Sequence, residues 1–491
     1  MRYLLGIDFG GGASKATLLC ENGEIVATAT TEYPTYYPQT GYAEQNPQDW
    51  VDATCKNIRT ILDESNVSPS DIVCVSLDAA THTAVIMDDD FNVLRNSIYW
   101  TDTRSTKEVQ YLKDNHCDLI EKQVFHKPDT IWTLPELMWV KNNEPHVWNK
   151  VKRILFAKDY VRHTLTGDYI TDYIEAEGSM MFDIRTMQWS EELCSILDIH
   201  PSMMPPIVKP TEIAGRITTE AAIITGLCVG TPVICGTTDT VMEIFAAGAV
   251  RKGDMTLKLA TAGRICVVTD KPYPDINLIN YSHIIDGLYY PGTATKSCAA
   301  SYRWFRDTFG GDYKELDSGA ENIAIGSDGL VFHPYLNGEL TPYANPNLCA
   351  DFVGVRASHT KAHFTRAVLE GVTMSMLDCK ETLAHMDIKY GESAIIIGGG
   401  GKSPLWKQMV SDALDIKLKE MKYTDSSLGS AMLAGIAVGI FADAQEAVSK
   451  CNKIVSETLP NRENIEKYRE LFKKYKAIQK ALEPIYNGEY I

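Results

Sequence analysis

The sequence predicts an α/β protein built from two similar halves that flank a cleft. The first observation is a turn that occurs twice. A strand-like run ends in Gly6-Ile7-Asp8-Phe9-Gly10-Gly11-Gly12-Ala13-Ser14-Lys15 and continues at once into a second strand over residues 16–20. The same build recurs where residues 255–259 run into Ala260-Thr261-Ala262-Gly263-Arg264 and leave through residues 265–269. The second observation is that short apolar runs of the buried-strand type, 73–77 and 394–397, alternate with helical stretches. The third is length, because 491 residues supply more than one core. Tight turns of small residues between strands let backbone N–H groups approach phosphate oxygens, so the twin turns predict a nucleotide site.

The elements follow in order. Glu21-Asn22-Gly23-Glu24 makes a turn into a strand at 25–26. Residues 47–62 read as a helix, with Asn46 as N-cap and Pro47 at the first helical position. A buried strand at 73–77 is expected to find its partner at 84–87, and 136–165 reads as two helical pieces. Residues 231–236 form a short strand ending in a turn at Thr237-Thr238-Asp239-Thr240, before a small-residue helix over 241–248. The best boundary lies at 247–253, giving domains 1–248 and 249–491. In the second half a further strand pair is expected around 281–290. The strand at 394–397 ends in four glycines, Gly398 to Gly401, and helices are expected over 405–414 and 428–441. The charged, periodic stretch 465–482 reads as a surface helix.

Composition narrows the function. A net charge of -17 without a Lys/Arg run argues against a phosphate-binding face for nucleic acid. Twelve cysteines without a Cys-x-x-Cys pair read as reduced thiols, not as a disulfide framework or zinc site. The chain starts in a strand and has no apolar run of the ~18–20 residues that span a bilayer, so the cytoplasm is the expected location.

Several residues could carry chemistry. Asp8, at a strand end beside a glycine turn, either holds Mg²⁺ next to phosphates or shapes the turn by hydrogen bonds. Asp239 either accepts the proton of an attacking hydroxyl or caps a helix. Trp100-Thr101-Asp102-Thr103-Arg104 suits a polyhydroxylated ligand, or an internal Asp–Arg pair. His82 follows a buried strand and could meet the same cleft. Gly398 to Ser403 is not a P-loop, because Ile396 stands where the motif needs its first glycine. A dinucleotide fingerprint fails too, at Ser403. What remains is a bare backbone surface that suits a purine or ribose.

Taken together these residues resemble the FGGY family of carbohydrate kinases. Gly6-Ile7-Asp8-Phe9-Gly10 with Lys15 resembles the first phosphate loop, and Trp100–Arg104 its Trp-x-Asp-x-Arg segment. Gly236-Thr237-Thr238-Asp239-Thr240 falls where the family carries its catalytic Asp. Gly354-Val355, His363-Phe364 and Ala367-Val368-Leu369-Glu370 match the C-terminal signature. Gly398 to Trp406 and Ser427-Leu428-Gly429-Ser430-Ala431 resemble the adenosine segment and the helix start after it. The departures are Gly11-Gly12 for Thr-Ser, Ala260-Thr261-Ala262-Gly263 for Gly-Thr-Ser-Gly, Ala299-Ala300 for Gly-Gly, Glu136 for Lys, and Thr240 for Asn or Gln. Within the family the chain is most similar to xylulokinases, through Thr81-His82 and Gly41-Tyr42-Ala43-Glu44-Gln45-Asn46-Pro47.

The resemblance implies two actin-like (ribonuclease H-like, Hsp70/hexokinase) ATPase domains and ATP-dependent phosphorylation of a ketopentose, D-xylulose above others. Another ketose or a polyol of the ribulose, L-xylulose, erythritol, glycerol or gluconate type stands as the alternative. An actin-fold ATPase that responds to sugar or acts as a chaperone is the different-class alternative. The implied roles are Asp239 as base, Thr81, His82, Trp100, Asp239 and Thr240 around the sugar, and Asp8 at Mg²⁺. Asp8, Gly10, Gly11, Gly12, Lys15, Thr261, Gly263, Gly399, Gly400, Gly401 and Ser403 would meet ATP. A small-molecule sugar is the expected partner, with neither nucleic acid nor membrane, and dimers among relatives allow a homodimer.

Overall fold

The structure is a computed structural model that describes residues 1–124, 126–275 and 278–489. The chain divides into two compact units. One holds residues 1–250, 281–286 and 423–453; the other holds 251–280, 287–422 and 454–491. The first division falls after residue 250, inside the 247–253 span read from the sequence. The expected assignment of everything after 248 to one domain needs correction, because 281–286 and 423–453 return to the first unit.

The first unit is organised on a seven-stranded sheet. Tyr3–Phe9, Ala13–Cys20 and Ile25–Glu32 run antiparallel in sequence order. Ile72–Ala79 lies parallel to Tyr3–Phe9 on its other side, followed by Pro232–Ile234 in parallel and Ile213–Arg216 in antiparallel. Thr237–Thr238 also pairs in parallel with Ile72–Ala79. The second unit repeats the plan with six strands. Gly292–Thr295, Gly263–Val267 and Met255–Leu259 form the antiparallel trio, and Ser393–Ile397 and Lys417–Met421 follow in parallel. Ile454–Thr458 closes the sheet antiparallel. The antiparallel trio and the parallel strand beside it are ordered alike in both sheets, as the repeated hairpin implied, whereas the two outer strands follow in opposite sequence order.

Each sheet buries its apolar faces under helices. The helix Pro47–Ser65 starts as expected, with Asn46 Oδ1 accepting from Gln48 N at 3.1 Å. It turns Trp50, Val51, Ala53, Thr54, Ile58 and Ile61 inward, a 3–4 residue spacing that places one face on the sheet. Ser426–Ala437 packs on the same sheet, and Gly6 explains how closely. A Cβ there would stand 2.0 Å from the Ser427 carbonyl oxygen and 2.3 Å from the Ala431 nitrogen. Gly429 does the same for Asp239–Ala247, where a Cβ would stand 2.3 Å from Met242 O. In the second unit the 25-residue helix Lys361–His385 runs through the core.

Two further expectations are corrected. The strand Ala84–Met87 pairs with Arg153–Phe156, which interrupts the helical stretch expected over 136–165. Around 281–290 there is no named strand; its Tyr289 makes only an isolated bridge to Thr269, and Gly292–Thr295 takes the third place in the sheet. Among the described residues no helix is long and apolar enough to cross a membrane.

Candidate active site

Strand register gathers the charged residues of the first unit. Lys15 is opposite Asp8, Asp8 opposite Asp78, and Asp78 opposite Thr237, so four neighbouring strands present one row. Thr237 then leads into Asp239, the first residue of its helix. Asp8 and Asp78 are buried, and each keeps an Oδ1 without a hydrogen-bond partner. Their carboxyls both stand above the usual range. Burial is the largest cause, and like charge adds to it: Asp239 and Asp425 act on Asp8, and Asp8 and Asp239 act on Asp78. Ser430 Oγ donates to Asp78 Oδ2 at 2.5 Å. Lys15 Nζ pairs with Asp425 Oδ2 at 2.8 Å. Burial pulls the Lys15 ammonium down, but the bond to Asp425 and the charges of Asp425, Asp8 and Glu243 leave it above its ordinary value.

This donor set fits a divalent cation. Buried carboxylate oxygens lack partners, and mutual repulsion raises their cost in the absence of positive charge. Among the described residues no group of three His, Cys, Asp or Glu side chains is arranged to hold a metal alone. Magnesium takes one or two carboxylates and fills its other positions with phosphate and water, so the set suffices.

The glycine loop is oriented by its carbonyls. Tyr33 OH donates to Gly10 O at 2.5 Å, Thr35 Oγ1 and Gln45 Nε2 to Gly11 O at 3.2 and 3.0 Å, and Tyr33 N to Gly12 O at 3.0 Å. A trans peptide points its N–H opposite its carbonyl, so the Gly11 and Gly12 N–H groups face away from these anchors. A Cβ at Gly10 or Gly12 would meet nothing within 4 Å. Packing does not demand these glycines; the bare backbone suits a phosphate.

Asp239 is half-buried, and its Oδ1 accepts from Thr240 Oγ1 at 3.3 Å. The N-cap of its helix is Thr238, so the capping alternative for Asp239 does not hold. His82 is buried in the left-handed region at φ 52°, with its ring 4.7 Å from Trp132. Glu175 Oε1 accepts from His82 N at 2.5 Å. Gly178 is required beside it, since a Cβ would stand 2.4 Å from His82 Cδ2. Burial first, then the charge of His126, lowers the imidazole to about 3 against its bond to the Ile131 backbone. His82 is therefore neutral, with one nitrogen committed and the other an acceptor. Thr81 is half-buried beside it. Trp100 is 46% exposed, whereas Asp102 and Arg104 form the internal pair, 2.7 Å apart, with Arg104 also stacked on Tyr42. That segment is a locked loop presenting Trp100.

Nearby, His283 Nε2 donates to Ala249 O at 3.0 Å while Nδ1 accepts from Ile285 N at 3.1 Å, which requires a neutral ring. Burial lowers His283 to about 4 despite the bond to Ala249. A histidine depressed below its unfolded value near 6.5 contributes stability that is complete above that pH and lost as pH falls toward 4. His283→Gln should therefore shrink the stability lost between pH 7 and 5 by roughly 2 kcal/mol. Urea unfolding at the two pH values measures it, and an acid profile identical to the parent's would refute the assignment.

The second unit carries a cavity of about 860 Å³. Thr261, Gly399, Gly400 and Ser403 line it, together with Ala260 and Lys402. Gly401 and Gly263 do not. A Cβ on Gly263 would stand 2.5 Å from Met376 Sδ and 2.8 Å from Thr295 Cγ2, so close packing requires that glycine. Ser403 caps Pro404–Leu414, accepting from Trp406 N at 3.1 Å. The far wall comes from the helices Ala299–Phe309 and Tyr313–Glu321, where Tyr302 is fixed by its bond to Asp317 at 2.6 Å. Arg303 Nη2 donates to Thr261 Oγ1 at 3.2 Å, placing a guanidinium on the second glycine turn. The sequence did not single out Asp78, Arg303 or Tyr302. They sit in ordinary strand and helix patterns, and their importance comes from pairing with distant segments.

Family models of carbohydrate kinases match this chain twice: the FGGY N-terminal domain over residues 3–246 and the FGGY C-terminal domain over 260–438. Xylulose kinase of Bacillus subtilis (strain 168) is 32% identical over 487 residues, 97% of each chain. Gluconokinase of the same organism is 29% identical over 504 residues, 99% of this chain and 97% of its own. The crystal structure of ligand-bound xylulose kinase from Lactobacillus acidophilus superposes with a TM-score of 0.94 at 26% identity, over 100% of both chains. The chain belongs to the FGGY family of carbohydrate kinases, and it is a sugar kinase with the two-domain, actin-like fold of that family.

Proposed function

We propose that this kinase transfers the γ-phosphoryl group of ATP to a hydroxyl of D-xylulose, giving D-xylulose 5-phosphate. The observation that carries the proposal is the row Lys15–Asp8–Asp78–Thr237, which delivers Asp239 beside Asp8. Phosphoryl transfer needs positioning and charge stabilisation more than covalent chemistry. Asp239 takes the proton of the attacking hydroxyl. Backbone N–H groups of Gly11 and Gly12 hold phosphate oxygens, with Lys15 adding positive charge. Asp8 would hold Mg²⁺, which would supply neutralising charge for the phosphates. The cavity bounded by Gly399, Gly400 and Ser403 receives the adenosine.

His82 and Trp100 meet the sugar, His82 through its acceptor nitrogen. Around His82 stand the Trp132 ring, the Glu175 carboxyl that accepts its N–H, Gly178, and the imidazole of His126. The names of the relatives at 32% and 26% identity support D-xylulose as the substrate.

A coupled assay of ADP release tests the proposal over D-xylulose, D-ribulose, L-xylulose, erythritol, glycerol and gluconate. D-Xylulose should give the highest kcat/KM, by at least about tenfold. A higher value for gluconate or glycerol would overturn the substrate, and ADP release indifferent to every sugar would overturn the transfer.

A further inference from the structure

The first glycine turn carries Gly11 where the resembled motif carries a hydroxyl residue, and the structure shows what occupies the space. A Cβ built on Gly11 would stand 2.8 Å from the Tyr99 hydroxyl oxygen and 3.8 Å from Tyr99 Cζ. Gly11 does not have a positive φ, so its backbone would accept a side chain; the tyrosine oxygen is what excludes one. Tyr99 is fixed in place. It is buried, and its N–H donates to Ala43 O at 2.9 Å. The charges of Asp239 and Asp8 both act on that hydroxyl.

The geometry points to Tyr99 as a phosphate-contacting residue of this kinase: its hydroxyl takes the place of the missing loop hydroxyl and donates to a phosphoryl oxygen of the nucleoside triphosphate. Burial and the two neighbouring carboxylates hold the phenol above its ordinary range, so it keeps its proton and stays a donor. Loop and tyrosine thus form one interchangeable pair, a hydroxyl delivered from a neighbouring strand end in place of one delivered from the turn. The inference rests on the phosphate-loop assignment of the proposed function.

A double-mutant cycle tests it with Tyr99→Phe, Gly11→Thr and the combined variant. Tyr99→Phe should lower kcat/KM for ATP on the order of 10²-fold, the effect of losing one donor to developing charge. It should also reduce the thermal stabilisation given by a non-hydrolysable ATP analogue with Mg²⁺, while leaving the unliganded melting temperature unchanged. Gly11→Thr alone should be impaired, because its Cβ meets the Tyr99 oxygen. In Gly11→Thr/Tyr99→Phe that oxygen is gone and Cζ lies at an ordinary contact distance. The threonine hydroxyl should then recover at least about tenfold over Tyr99→Phe. Tyr99→Phe within twofold of the parent in both readouts, or a double variant no better than either single, would overturn the inference. A parent that releases no ADP with any sugar would instead refute the kinase function, and the analogue-stabilisation readout would still decide the Tyr99 contact.

Discussion

Asp239→Ala should lower sugar-dependent ADP release by about 10²–10⁴-fold, the range that one general base supplies, and leave nucleotide affinity intact. The separation follows from where Asp239 sits. It belongs to the same row as Asp8, but by the strand Thr237–Thr238 and not by the glycine loop, so its loss leaves the backbone donors of Gly11 and Gly12 untouched. Its charge is also the largest like-charge cause of the raised Asp8 carboxyl. Removing it relieves Asp8, so affinity for the Mg²⁺–nucleotide should hold or improve as turnover collapses. Single-turnover phosphorylation and equilibrium binding of a non-hydrolysable ATP analogue measure the two halves. Turnover within a few-fold of the parent would remove Asp239 from its role. A matching loss of affinity would make it a binding residue.

The legible part of this molecule was the part written in local pattern. The twin hairpins and the Asn46-Pro47 helix start each depend on neighbours within a few residues, and each stands where the pattern put it. Asp8 and Asp239 were legible because glycine and threonine turns expose them. Asp78 was not. It looks like the end of a buried strand until register sets it against Asp8 and until Ser430, 352 residues away, reaches it. For the same reason residues 423–453 read as part of the second half, although the Gly6 gap that receives Ser426–Ala437 lies in the first strand. Tyr99 is the plainest case. Gly11 and Gly12 appeared as lost hydroxyls, because sequence shows what a position lacks but not which distant side chain fills the space.

The second large effect concerns stability. Lys158 is fully buried, with its Nζ 2.5 Å from Asp159 Oδ1 and 2.8 Å from Asp172 Oδ2. Arg162, equally buried, pairs with Asp159 at 2.7 Å and Asp168 at 2.9 Å, and donates to Cys235 O at 2.6 Å. Lys158→Met would leave Asp172 uncompensated and Asp159 dependent on Arg162 alone. Breaking a buried pair from one side costs about 3–5 kcal/mol. Denaturant unfolding should register that loss, whereas Lys209→Met, which removes an exposed pair with Asp286, should leave the midpoint unchanged. Equal midpoints for the two variants would refute the role of the buried cluster. The cluster also ties both edges of the site. Asp172 caps Tyr173–Glu177 through Ile174 N and Glu175 N and accepts from Thr237 Oγ1 at 2.8 Å, one strand position before the turn to Asp239. Glu175, on that capped helix, holds the His82 N–H. Lys158→Met molecules that remain folded should therefore lose kcat as well, because one buried ammonium braces the strand before Asp239 and the helix that holds the His82 N–H through the same aspartate.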